Sequence, residues 1–268
     1  MKIQNKVFVV TGGGNGIGRA LVLALLSRGA SVAAIDIDAA GLEGTLALAG
    51  RNRDRLSTHI VNITERAAVD ALPAQVIERF GVVDGIINNA GVIQPFVRLK
   101  DLDYGAIDRV MNVNLFGTLY MVKAFLPHLL ARPEAHITNI SSMGGFLPVP
   151  GQTIYGAAKA AVKLLTEGLN SELQGTSVKV TVVFPGAIQT NIAQNSGVMD
   201  SLQMKSGQPT PKMLSADKAA RIILEAIEQD RYRVLVGSDA MFMDAIYRLD
   251  PQRAARFIYK QMVALLPK

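Results

Sequence analysis

No cysteine occurs among the 268 residues, which excludes disulfides, thiolate metal sites and cysteine nucleophiles and suits a reducing compartment. Histidine is nearly as scarce. His59 and His136 sit in or beside strand-like runs and His128 near a helix end, and no cluster of His, Asp and Glu suggests a catalytic metal. The G-x-S-x-G elbow of serine hydrolases is missing around Ser141 and Ser142. Net charge is +6, yet the basic residues are scattered among acids, with no arginine-rich run, zinc-finger spacing or aromatic RNA-binding signature. A nucleic-acid partner is therefore not expected. Long apolar runs are absent as well. The early run Val7 to Val10 is too short for the core of a signal peptide. No later segment reaches the roughly 18 apolar residues of a membrane span. The expectation is a cytoplasmic protein without membrane contact. No repeat, low-complexity tract or linker divides the chain, which reads as one domain over residues 1–268.

What is present is a hydrophobic share of 49%, ample for a substantial core. Short β-branched runs alternate with helical stretches. Strands are expected at Lys6 to Val10, Ser31 to Ile35, Ser57 to Val61, Val83 to Asn88, His136 to Ile140 and Val178 to Phe184. Helices are expected at Gly16 to Arg28, closed by Gly29, at Ala39 to Leu48, Glu65 to Phe80 and Tyr104 to Leu130, and around Tyr155 and Lys159. Nearly all-apolar strands in six or seven βα repeats imply a parallel sheet covered on both faces. Right-handed crossovers make it an α/β doubly wound Rossmann fold, a mostly parallel sheet of about seven strands. Eight repeats of a barrel do not fit the length. Ligands then bind beyond the carboxyl ends of the strands.

The loop after the first strand reads TGGGNGIG, Thr11 to Gly18. Glycines there allow a tight turn and close approach to a pyrophosphate, and the following helix amino end offers free N–H groups. Gly13 and Gly18 have Walker spacing, but Arg19-Ala20 stands where Lys-Ser/Thr is required, so a P-loop is excluded. The second strand ends in Asp36, whose carboxylate can accept both ribose hydroxyls of an adenosine and repels a 2′-phosphate. Asn15 and Ile37 supply no cation for that phosphate, so NAD is preferred over NADP. Further along, Tyr155 and Lys159 stand four apart, on one face of a helix.

Thr11-Gly12-x-x-x-Gly16-x-Gly18 and Tyr155-x-x-x-Lys159 together resemble the short-chain dehydrogenase/reductase family, over roughly the first 190 residues. Asn88-Asn89-Ala90-Gly91, Asn114 in NVNLFGT, Ser142 in NISSMGG and Pro185-Gly186 match it in the same order. The resemblance implies that Gly12, Asn15, Gly16, Ile17 and Gly18 form the pyrophosphate turn and that Asp36 holds the ribose. It implies that Asn62 and Ile63 meet the adenine, and that Asn89, Ala90 and Gly91 border the cofactor. Pro185, Gly186, Ile188 and Thr190 would then face the nicotinamide, Ile188 through its backbone. Asn62 departs from the family's usual aspartate, which implies a changed adenine contact rather than lost binding.

Alcohol oxidation removes a hydroxyl proton as hydride leaves. A free phenol, with a pKa of about 10, is a poor base at neutral pH. Lys159 and a cationic nicotinamide are expected to favour the Tyr155 phenolate, making Tyr155 the base in oxidation and the acid in reduction. By the family's spacing Ser142, not Ser141, orients the substrate oxygen. Lys159 would also bind the nicotinamide ribose, and Asn114 would bend its helix and hold a water leading from Lys159 to solvent. An NAD-binding regulator without activity is the contrasting reading. It would be expected to lack Ser142, Tyr155 or Lys159, all of which are present.

Residues 191–214, rich in Gly, Pro, Met and amides, are expected as a substrate lid. Residues 238–268 are expected as a helical extension, with Ser238 or Asp239 capping one helix and Asp250-Pro251 starting another. Ile258, Met262 and Leu265 share one face of the last helix and are expected to fold back on the protein. The expected substrate is a hydrophobic secondary alcohol or ketone, steroid-like or lipid-derived, with an NADPH-linked carbonyl reductase as the alternative. By resemblance the chain forms a homo-oligomer, a tetramer or dimer, through the helices that carry Asn114 and Tyr155.

Overall fold

A computed structural model describes residues 1–198 and 213–266. Strand β1 (Val7–Thr11) turns into helix α1 (Gly16–Ser27), followed by β2 (Ser31–Asp36), α2 (Ala39–Leu48), β3 (Leu56–Ile60), α3 (Arg66–Phe80) and β4 (Gly85–Asn88). Helix α4 (Tyr104–Met111) continues through a π-helical turn, Asn112–Gly117, into α5 (Thr118–Leu130). Then come β5 (Ala135–Ile140), α6 (Thr153–Glu172) and β6 (Val178–Pro185). The two-residue strands β7 (Ile188–Gln189) and β8 (Leu214–Ser215) pair with each other, and the short α7 (Ile192–Asn195) follows the first of them. Last come α8 (Ala216–Glu228), β9 (Arg233–Val236), α9 (Ser238–Leu249) and α10 (Pro251–Met262).

Seven strands form a parallel sheet in the order β3-β2-β1-β4-β5-β6-β9. The order reverses between β1 and β4, so their outgoing connections leave on opposite faces and a crevice opens above them. The side-chain period of two divides each strand between two cores. Phe8 and Val10 join α1 and α8 on one face, whereas Val7 and Val9 join α3 and α5 on the other. In β2, Val32 and Ala34 point to the first face and Ala33 and Ile35 to the second. This explains why the strands read as continuous apolar runs rather than alternating ones.

The expected strands are present with shifts of one or two residues at their ends, and Gly29 follows α1 with φ +88°. The seventh strand, β9, and the preceding α8 had no individual expectation. β9 is a four-residue run at the sheet edge, too short to stand out by pattern. The expected helix Tyr104 to Leu130 is continuous in length but not in hydrogen bonding, because the π turn adds a residue around Asn114. Among the described residues it is the one helix long and apolar enough to cross a membrane by length and composition. Met121, Val122, Phe125 and Leu129 are nonetheless buried against the sheet and α3, as in a core helix.

The C-terminal helices fold back on the protein, although α10 ends at Met262 and Leu265 lies in the turn beyond it rather than on its face. Ile258 and Met262 pack with Met243 and Leu147 and touch Met143 and Phe146, which follow β5. Asp250 caps α10 by accepting from the Arg253 N–H at 2.9 Å, with Pro251 in the first turn. The cap expected at Ser238 or Asp239 is corrected. Gly237 occupies the N-cap of α9, and the Asp239 carboxylate is engaged elsewhere. Residues 199–212 of the expected lid lie outside the described residues.

Two glycine-to-alanine substitutions separate packing from helix propensity. A Cβ at Gly85 would lie 2.5 Å from the fully buried Phe8 ring, whereas at Gly168 in α6 it would meet nothing within 4 Å. Gly85→Ala should cost about 1–3 kcal/mol by overpacking. Gly168→Ala should gain about 0.5–1 kcal/mol. Urea unfolding of both variants reads the two signs directly.

Candidate active site

Above the crevice lies a cleft of about 730 Å3, a volume suited to a small-molecule site. Every residue expected to bind cofactor lines it except Gly18, which lies beneath. A Cβ at Gly18 would collide with the Gly12 carbonyl oxygen, so this glycine lets the helix close on the turn below the cleft. Gly12 and Gly16 have φ +70° and +52°, and only glycine adopts such backbone easily. A Cβ at Gly12 would lie 2.8 Å from Asn89 Nδ2, and one at Gly16 would lie 3.3 Å from Thr190. The floor of the cleft is thus bare backbone where a pyrophosphate needs close approach, and the residues present fit a dinucleotide.

At one end, Asp36 accepts from the Gly14 N–H at 2.9 Å and the Asp38 N–H at 3.0 Å, which fixes its carboxylate at the tip of β2. Asn15 does not cap α1 with its side chain; it donates to Asp38 Oδ2 at 3.0 Å. Asp38 is the N-cap of α2. Two carboxylates thus line this end, and the nearby Arg19 is spent on the Gly14 and Gly41 carbonyls and on Thr45. Asn62 lines the cleft too. Its Oδ1 accepts from the Thr64 N–H and hydroxyl, and its amide donates to Glu65, so the amide is held in a local turn before α3.

At the other end are Ser142, Tyr155 and Lys159. The Ser142 oxygen accepts from the Gly144 N–H at 3.0 Å, leaving its proton free for the neighbouring Tyr155 phenol. Burial pushes the phenol up from its ordinary value, and the bond to Ser142 pulls it partway back. Lys159 is 4% exposed and donates to the Ile140 carbonyl at 2.9 Å. Burial brings its ammonium down to about 8. The expectation paired Lys159 with a cationic nicotinamide; in the protein alone, burial holds the phenol above its ordinary value. In this structure desolvation dominates at both groups. Ser141, beside Ser142, is buried and donates to the Lys159 carbonyl at 2.8 Å.

Asn114 lies behind the cleft, fully buried in the π turn. Its Oδ1 accepts from the Val92 N–H at 3.0 Å and its Nδ2 donates to the Val92 carbonyl at 2.8 Å, a two-way clamp on the loop after β4. Gly91 fits between Asn114 and Lys159, since a Cβ there would lie 2.9 Å from Asn114 Oδ1 and 3.3 Å from Lys159 Nζ.

Three residues at the site had no sequence expectation as site residues. Gln94 is 1% exposed, and its Oε1 accepts from the Ile154 and Tyr155 N–H groups at 2.8 and 3.0 Å. It thereby satisfies free donors in the first turn of α6, the helix that carries Tyr155 and Lys159. Asp239 accepts from the Ala187 N–H at 2.6 Å. Arg109 on α4 lines the cleft and is its second cation besides Lys159 among the described residues. Nothing local in the sequence marks any of the three.

A family model described as short chain dehydrogenase matches residues 6–200. SadH of Mycobacterium tuberculosis, which carries an oxidoreductase name, is 35% identical over 270 residues and 98% of each chain. Among solved structures, a short chain dehydrogenase/reductase from Burkholderia phymatum in complex with NAD has a TM-score of 0.84 at 28% identity. That match covers 94% of this chain and 96% of the other. A short chain dehydrogenase from Burkholderia cenocepacia in complex with NADP has a TM-score of 0.80 at 28% identity, over 96% and 99% of the two chains.

The buried Lys159 should be visible in stability. Because its folded-state pKa is lowered, the unfolded chain holds that proton more tightly between about pH 8 and its ordinary 10.5. Raising the pH through this window therefore favours the folded state. Relative to Lys159→Met, the native protein should gain up to about 3 kcal/mol of unfolding free energy across it. Parallel pH profiles from denaturant titrations measure the difference; two parallel profiles would mean that the ammonium is not desolvated.

Proposed function

The chain belongs to the short-chain dehydrogenase family and is an oxidoreductase, and on that premise we propose that it uses NAD to interconvert a secondary alcohol and a ketone. One observation carries this reading. A single cleft joins a fixed carboxylate, Asp36, at one end to Ser142, Tyr155 and Lys159 at the other, with bare glycine backbone between. The reading treats the chain as one Rossmann-fold unit, with residues 191–214 as a substrate lid and 238–268 as a helical extension.

Bound in the cleft, the nicotinamide ring would exchange hydride with the substrate carbon, and its oxidised form would add the positive charge that favours the Tyr155 phenolate. Gly12, Gly16, Ile17 and Asn89 would hold the pyrophosphate region and Asp36 the adenosine ribose. Ala90, Gly91, Pro185, Gly186, Ile188 and Thr190 would hold the nicotinamide half. Ser142 donates to the substrate oxygen and keeps it within reach of the phenol. Tyr155 takes the hydroxyl proton in oxidation and returns it in reduction. Lys159 binds the ribose and supplies positive charge beside the phenol. Asn114 holds the Val92 loop and the bend in its helix. Asp36, backed by Asp38, disfavours a 2′-phosphate.

Val92, Ile93, Ala187 and Ile192 give the cleft an apolar wall, which supports a hydrophobic substrate. The exposed side chains of Tyr104, Phe116 and Leu164 on the long helices support assembly into a dimer or tetramer. The lack of cysteine fits a cytoplasmic setting.

Calorimetry of the whole chain should show NADH binding at least tenfold tighter than NADPH, and Asp36→Ala should erase that preference. A native preference for NADPH would overturn the cofactor assignment and leave the NADPH-linked reductase in its place. Tyr155→Phe should lower turnover of a secondary alcohol by about 10²-fold or more. Its NADH affinity should stay within a few-fold of the native value. Unchanged turnover in that variant would remove Tyr155 from the chemistry.

A further inference from the structure

The sequence motifs end near Pro185-Gly186, yet the segment that follows them is held from outside the motif region. Gly186 donates to the Val236 carbonyl at 2.9 Å, and the Ala187 carbonyl accepts from the Leu214 N–H at 3.0 Å. The tightest contact comes from the first turn of α9, where Asp239 Oδ2 accepts from the Ala187 N–H at 2.6 Å. Its carboxylate fills space that only glycines leave open. A Cβ at Gly186 would overlap it, and so would one at Gly237, which has φ +111° and forms the N-cap of α9. Gly186, Gly237 and Asp239 therefore form one fitted unit. It frees no capping role for Asp239, because that carboxylate is turned away from its own helix toward the loop after β6.

We infer that Asp239 is a positioning residue for the nicotinamide half of the cofactor site, acting through the Ala187 N–H to fix the backbone that leads into Ile188. The inference rests on the dinucleotide reading above and goes further, because it assigns control of one half of the site to the C-terminal helices. The geometry makes the effect local. Asp239 touches the loop after β6, whereas at the adenosine end Gly13 and Gly14 donate to Ile35 and Asp36 of β2 and Thr45 of α2 donates to the Gly13 carbonyl, with no bond to α9 among the described residues. Loss of the carboxylate should loosen the nicotinamide end and leave the adenosine end intact.

The experiment compares the native chain, Asp239→Ala and Asp239→Asn for binding of NADH and of ADP-ribose, which lacks the nicotinamide. A hydrogen bond to a charged acceptor is worth about tenfold or more in an equilibrium constant. Asp239→Ala should therefore weaken NADH about tenfold while ADP-ribose stays within about twofold. Asparagine keeps an oxygen that can accept from Ala187, so Asp239→Asn should recover most of the NADH affinity. Equal weakening of both ligands in Asp239→Ala would overturn the inference in favour of general damage to the fold. Unchanged NADH binding in that variant would overturn it as well. A native chain that binds neither ligand would overturn the dinucleotide reading, and the inference with it.

Discussion

The cleft depends on how β1 and β4 are joined at the point where their connections part. The Thr11 hydroxyl accepts from both the Asn89 and Ala90 N–H groups at 3.0 Å, and Asn89 returns a bond from its side chain to the Thr11 carbonyl at 3.0 Å. A sheet ladder must end where two strands diverge, and the donors beyond its last rung would otherwise be left without partners. Thr11 satisfies them with one side-chain oxygen. The crevice can therefore be open above while the Asn89 and Ala90 N–H groups below it are bonded. The glycine turn rests on one side of this tie and the Asn89-Ala90-Gly91 turn on the other.

From that tie outward the site is built from pairs of loops that hold one another. Asn114 clamps Val92, Gln94 caps the helix of Tyr155, and Gln152 donates back to the Gln94 carbonyl at 2.8 Å. Deeper in the sheet, Asn88 donates to Asn139 at 2.8 Å, and Asn139 to Thr166 at 3.0 Å. These buried amides are costly unless paired. The bonds they make tie together β4, β5 and α6, the three elements that bring the Asn89 turn, Ser142 and Tyr155 to one level, while Asn88 Oδ1 and Gln152 Oε1 accept no bond.

Much of this was legible in the sequence because it is local. The glycines at 12, 16 and 18, the carboxylate closing β2 and the four-residue spacing of Tyr155 and Lys159 each state a geometric requirement within one loop or one helical turn. Gln94 and Asp239 were not legible. Their partners lie 61 and 52 residues away, and a glutamine or an aspartate in a loop or helix start has ordinary local explanations. The burial of Tyr155 was not legible for a related reason. Burial of the phenol is a property of the assembled loops, whereas the nearby lysine was visible in the motif. Asp239 looked like a helix cap because its position permits that, and only the folded chain shows the loop after β6 arriving to claim its carboxylate.

The π turn at Asn112–Gly117 has a geometric result of its own. Inserting one residue into a helix advances every later side chain by about 100° about the axis. Helices α4 and α5 are therefore one rod with two phases. The first segment turns toward α6 and the second toward α3 and the sheet, a division that a regular helix with a single apolar stripe does not achieve. The chain thus uses one extra peptide unit as a phase shifter, and it places Asn114 at the seam. Point substitutions on either side leave that angular offset in place, whereas a one-residue deletion or insertion between Asn112 and Gly117 would rotate half the rod as a unit.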